Sequence, residues 1–243
     1  RARALQKNSG GFLWRYIAEE LTERLAMVTR HFENALIIGP MASHAAEIMA
    51  DRQLDLSFAC VTAQQHDQAI IAEEDRLPFA PHSFDLIIAA GTLDSVNDVP
   101  GALVQIRRSL KPDGLFLGHM FGAGSLTTLK SLMMAADGNI VTPHIHPQID
   151  LRSAADLLAR AGFALPVADG EVARVRYGGW RTIVSDVRDA GIGNALAGPR
   201  RYLGTDMPVR LDTEWRRRAD TSGKLEEQFN HLFLSGGAPP HDQ

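Results

Sequence analysis

Three consecutive acids, Glu73-Glu74-Asp75, follow the short apolar run Ala69-Ile70-Ile71-Ala72. A carboxylate at the end of a strand accepts hydrogen bonds from a nucleobase amino group or from ribose hydroxyls; the same run also suits a solvated loop. Three further features are expected at the same rim. Gly39 closes the run Ala35-Leu36-Ile37-Ile38, and its missing Cβ lets a ligand approach the backbone. Cys60-Val61-Thr62 ends a second apolar run, and Ala90-Gly91-Thr92 ends a third. Neither G-x-G-x-x-G nor G-x-x-x-x-G-K-[ST] occurs, so a phosphate cradle has no support.

Other candidates carry weaker signals. His144 and His146 flank Ile145, and side chains at i and i+2 of an extended segment share a face. No cysteine or carboxylate stands at ligand spacing, so no metal site is expected and the pair reads as polar residues near a pocket mouth. Cys60 reads as a small buried hydrophobe. Gly122-Ala123-Gly124-Ser125 lacks the spacing of a nucleophile elbow. Tyr177 and Trp180 beside Gly178-Gly179 suit a substrate lid or the core, and Met133 and Met134, after a helix expected at 124–132, suit a greasy lid or the core. Trp215-Arg216-Arg217-Arg218 could touch acidic protein or lipid headgroups; a solvated surface turn is the reading adopted.

The elements that must position these residues follow from hydrophobic rhythm. Leu13, Ile17, Leu21 and Leu25 recur at i+4 and predict an amphipathic helix over 12–28, with Ser9-Gly10-Gly11 as its start. Strands are expected at 35–38, 56–61, 69–72, 84–90 and 115–118, with helices at 42–51 and 98–110 and a turn at Lys111-Pro112-Asp113-Gly114. Short apolar strands alternating with helices predict a mostly parallel sheet covered on both faces. Beyond it come a helical elaboration over 120–161, strands near 163–168 and 228–234, and a charged surface connection over 203–224. Ligands of such open sheets bind beyond the carboxyl ends of the strands.

Composition bounds the answer. The 243 residues suit a single domain, 1–243, with an N-terminal helical segment over 1–33. One cysteine excludes a disulfide framework and multi-cysteine zinc sites. The net charge of −4 argues against a dedicated nucleic-acid binder. No apolar run is long enough for a membrane span, so a cytoplasmic location is expected. The chain opens Arg1-Ala2-Arg3 without methionine, so loss of a preceding segment is expected; a targeting sequence there would imply a mitochondrial-matrix-like location.

Glu73-Glu74-Asp75-Arg76-Leu77-Pro78-Phe79 followed by Ser83-Phe84-Asp85-Leu86 resembles the signature of class I S-adenosylmethionine-dependent methyltransferases, as does Leu110-Lys111-Pro112-Asp113-Gly114. Val96–Leu103, Pro143–Pro147, Leu157–Phe163 and Leu234–Pro239 are similar to one branch, the biotin-synthesis methyltransferase-like and mitochondrial complex I assembly factor 5-like proteins. The resemblance implies a Rossmann-like three-layer sandwich with a seven-stranded sheet, one strand antiparallel. It implies S-adenosylmethionine as cofactor and Gly39, Pro40, Thr62, Glu73, Glu74 and Ala90 as its lining, with Glu73 near adenine. His144 and Asp94 become the candidate proton acceptors. The implied activity is methyl transfer to a small molecule or a protein side chain. The alternative is a degenerate assembly factor for a respiratory-chain (complex I) subunit, linked through its relatives to arginine hydroxylation.

The departures from the family pattern are specific. Pro40, Met41, Ala42 and Ser43 replace the later glycines of the cofactor loop, and proline removes an N–H donor. Cys60-Val61-Thr62 lacks the acid that grips the ribose, and Asp94-Ser95 stands where close relatives carry His-Trp. Each lost charged hydrogen bond costs roughly 1.5–3 kcal/mol, so cofactor affinity is expected to fall by about 10²-fold or more.

Overall fold

The computed structural model describes residues 11–39, 55–60, 70–138, 144–193 and 204–240. In chain order these form α1 (Phe12–Ala26), β1 (Asn34–Ile38), β2 (Asp55–Cys60), β3 (Ile70–Ile71), β4 (Phe84–Ala90), α2 (Val99–Ser109), β5 (Leu110–Phe121), α3 (Thr127–Ala136), α4 (Leu151–Arg160), β6 (Ala164–Tyr177), α5 (Trp180–Asp189), α6 (Met207–Arg218) and β7 (Leu225–Gly237). The helix expected at 42–51 lies outside the described residues.

One seven-stranded sheet runs in the order β3-β2-β1-β4-β5-β7-β6. The first five strands pair in parallel, and β7 lies antiparallel between β5 and β6. All seven residues of β4 are buried, which is why its sequence is apolar without alternation. Its residues divide between two cores. Leu86, Ile88 and Ala90 face the side of α1, α3, α5 and α6, whereas Ile87 and Ala89 face α2 and α4. Asp85, the acid of the Ser-Phe-Asp-Leu signature, accepts hydrogen bonds from the backbone N–H groups of Glu33 and Asn34 at 3.1 and 3.0 Å. It therefore fixes the start of β1 beside β4, at the end of the sheet away from the expected site.

Several element boundaries differ from expectation. The 111–114 turn does not separate helix from strand. Leu110 pairs with Phe84 and Leu115 with Leu86, so these residues bulge out of one continuous strand. The apolar run at 115–118 marks only the middle of β5. β6 and β7 likewise extend well past the expected spans; β6 is an edge strand that exposes both apolar and polar residues, Leu165, Val167 and Val172 beside Asp169, Arg174 and Arg176. The 203–224 connection contains α6, whose Met207, Leu211 and Trp215 are buried at intervals of four residues; Pro208 is tolerated in its first turn. Within 120–161 the end of β5 is followed by the helices α3 and α4; α4 packs in the second core, and Met133 and Met134 lie within α3.

Beneath α1, His119 of β5 and His231 of β7 are fully buried, Nε2 to Nδ1 at 3.0 Å. The Tyr16 ring packs on His231 at 4.8 Å between centroids. Burial holds both imidazoles neutral: His119 lies well below its usual pKa and His231 is lowered to about 4.

Candidate functional site

The carboxyl ends of β1, β3 and β4 form the rim on which the acids and glycines converge. Gly39 adopts φ +108°, and a Cβ there would lie 2.6 Å from the Ala90 carbonyl oxygen and 3.0 Å from Thr92 Cβ. The close approach of two strand ends therefore demands this glycine, whatever binds nearby. Ala90 is buried, so it forms a wall behind Gly39.

The acids separate by environment. Glu74 is buried and accepts a hydrogen bond from the Thr92 hydroxyl, which joins the segment after β3 to the segment after β4. Glu73 is exposed, and its carboxylate makes no hydrogen bond among the described residues. Asp75 Oδ1 is buried without a hydrogen-bond donor among those residues. An exposed carboxylate beside an unsatisfied buried oxygen suits a ligand that offers N–H or O–H groups. Pro40 and Thr62 lie outside the described residues.

Trp14, buried on α1, closes over the next turn. Gly91 adopts φ +67°, and a Cβ there would collide with the indole at 2.0 Å. The indole Nε1 donates to the Asp189 carbonyl at 3.0 Å, which fastens α1 to the end of α5. Nothing in the sequence beyond membership of α1's apolar face marks Trp14 for this position.

Of the two candidate proton acceptors, Asp94 sits at the end of β5 and His144 beside the C-terminal end of α3. Asp94 accepts from the Phe121 backbone N–H, so one carboxylate oxygen is spent on holding the strand end. Ala123 N donates to Ile149 O at 2.7 Å, which brings the 144–149 segment to the same end. His144 Nε2 lies 2.6 Å from Asp137 Oδ2, whose carboxylate is almost fully buried. Asp137 escaped the sequence reading; its only signal is position seven residues before His144. Tyr177 is core, its hydroxyl donating to Asp186 at 2.8 Å, whereas Trp180 is half-buried.

The sheet order, with five parallel strands and one antiparallel strand between β5 and β6, is that of the class I methyltransferase fold. A family model described as "Methyltransferase domain" matches residues 15–166, and the chain belongs to that family. Among its curated homologues is the arginine-hydroxylase NDUFAF5, mitochondrial, of Danio rerio, 30% identical over 93% of this chain and 76% of the relative. Another is malonyl-[acyl-carrier protein] O-methyltransferase 1 of Coxiella burnetii, 29% identical over 96% of this chain and 84% of the relative. The crystal structure of YcgJ from Bacillus subtilis superposes with a TM-score of 0.64 at 15% identity, covering 91% of this chain and 98% of that one, which attests the fold. Among the described residues no helix is long and apolar enough to cross a membrane.

Proposed function

We propose that the rim binds S-adenosylmethionine and that the protein transfers its methyl group to a small molecule or a protein side chain. The observation that carries this reading is the contrast between Glu73 and Glu74. One carboxylate is spent inside the protein, and the adjacent one is left open beside the unsatisfied Asp75 oxygen. In this reading Glu73 and Asp75 accept hydrogen bonds from the nucleoside, and Gly39, Glu74 and Ala90 form the supporting wall.

When bound, S-adenosylmethionine supplies an electrophilic methyl group. The residues then chiefly orient the acceptor and exclude water, since an in-line displacement needs alignment above all. Trp14 shields the turn after β4. An acceptor that must lose a proton finds one base in His144. Its Nε2–H donates to Asp137, which leaves the Nδ1 lone pair free to take that proton.

The identity to proteins named arginine-hydroxylase NDUFAF5 favours a second reading, in which the fold serves assembly of a respiratory-chain (complex I) subunit without methyl transfer. Loss of the loop glycines and of the ribose acid supports it.

Calorimetry separates the two. Natural protein is titrated with S-adenosylmethionine beside a variant carrying Pro40→Cys, Met41→Gly and Val61→Asp. Measurable binding by the natural protein, tightened in the variant, supports the first reading. No heat from the natural protein at millimolar ligand, with clear binding by the variant, supports the second.

A further inference from the structure

The run Trp215-Arg216-Arg217-Arg218 ends α6, and its surroundings form a concave surface that the methyl-transfer reading does not use. Trp215 is buried, its indole donating to the Gly223 carbonyl at 3.2 Å, so the helix is pinned and Arg216 is turned outward. A groove of about 490 Å³ opens between the start of α5 and the end of α6. Trp180, Trp215 and Arg216 line it together with Gly178 and Gly179. A Cβ added at either glycine would meet nothing within 4 Å among the described residues.

The charges around the groove are mostly satisfied. Asp212 accepts from the Trp180 indole at 2.7 Å and from Arg181 at 2.8 and 3.1 Å. Arg181 also stacks on the Trp180 ring, 4.4 Å from its centroid. Arg176 is paired with Asp220, and Arg217 and Arg218 share Glu214. Arg216 alone of these arginines forms no hydrogen bond or ion pair among the described residues. The result is one guanidinium without a hydrogen bond or ion pair among the described residues, beside two indoles and one helical turn from Asp212, whose carboxylate its charge helps to hold low, on a chain whose net charge is −4.

We propose that this groove docks an acidic, extended segment of a partner protein. A carboxylate of the segment pairs with Arg216, and an apolar side chain enters beside Trp180 and Trp215. The mixed signs select this occupant. A membrane surface or a nucleic-acid backbone presents dense negative charge, which Asp212, Glu214 and Asp220 would repel. Spaced carboxylates can meet the open arginine and avoid those acids. A concave floor with indoles also suits an inserted side chain better than a flat bilayer does.

The test uses a fluorescein-labelled nonapeptide of repeated Glu-Leu-Gly and its Gln-Leu-Gly counterpart, with anisotropy read at low salt against the full chain. The Glu peptide should bind at least about tenfold more tightly than the Gln peptide. Arg216→Glu should abolish that preference. Arg152→Glu, at an exposed arginine of α4, should preserve it. Thermal melts establish that both variants are folded. Equal binding of the two peptides, an unaltered preference in Arg216→Glu, or an equal loss in Arg152→Glu would overturn the proposal. Binding to phosphatidylserine vesicles but not to the Glu peptide would overturn it in favour of a lipid surface.

Discussion

Glu74 and Thr92, on segments that leave the sheet from strands separated by β2 and β1, are bonded side chain to side chain inside the protein. The bond ties the outer part of the rim to its centre. It also makes neighbouring acids inequivalent, because Glu74 is buried and bonded within the fold whereas Glu73 is exposed.

Removing the hydroxyl should therefore be felt as a loss of stability. Thr92→Val keeps the shape but deprives a buried carboxylate of a donor, and the expected cost is about 1–3 kcal/mol. Thr92→Ser, which retains the hydroxyl, should cost less. Urea unfolding of the two variants checks the order; equal losses would place the cost in packing.

Glu73→Gln should behave in the opposite way. Its side chain is exposed and unbonded among the described residues, so the melting temperature should stay within about a degree of the natural protein's. Affinity for S-adenosylmethionine should fall by about tenfold, as a charge-assisted contact is weakened. Calorimetry and a thermal melt on the same preparation test both halves.

The His119–His231 pair gives stability a pH dependence of known sign. The His231 pKa is lowered by burial from 6.5 to about 4. Between these values the unfolded chain binds more protons than the folded one. Stability contributed by the neutral ring is thus complete above about pH 6.5 and lost as pH falls toward 4. The difference amounts to about 3 kcal/mol from His231. His231→Phe should flatten the stability–pH curve in this window, measured by urea unfolding at several pH values; an unchanged slope would assign the dependence to other groups.

Glu227 of β7, fully buried, accepts from the backbone N–H groups of Thr128 and Leu129 at 3.1 and 2.7 Å and so caps α3 from outside the helix. Burial raises its pKa despite these bonds. Glu227→Ala leaves those donors open and should cost about 1–2 kcal/mol. Glu227→Gln, which keeps an acceptor, should cost less, with helix α3 reporting the difference by faster amide exchange in the alanine variant.

Sequence reading succeeded where one environment governs a segment. The strand at 84–90 was legible because both faces of β4 are covered, and α1 because one face is. It failed where few residues carry the signal. α6 offers only Met207, Leu211 and Trp215 to the core among its charges, and β6 alternates polar residues along an exposed edge. At the rim, the run Glu73-Glu74-Asp75 was legible as a cluster of acids after β3. The committed role of Glu74 was not, because its partner Thr92 lies eighteen residues away and meets it only in the folded sheet. Asp137 escaped for the same reason: its value depends on a contact with His144 that local pattern does not encode.

The central claim is that a nucleoside occupies the ends of β1, β3 and β4. Amide hydrogen exchange with and without saturating S-adenosylmethionine tests its location directly. The account predicts slowed exchange over 72–78 and around 90–95, with the groove at 178–181 and 215–223 unchanged. Unaltered exchange at the rim, or protection confined to the groove, would contradict it.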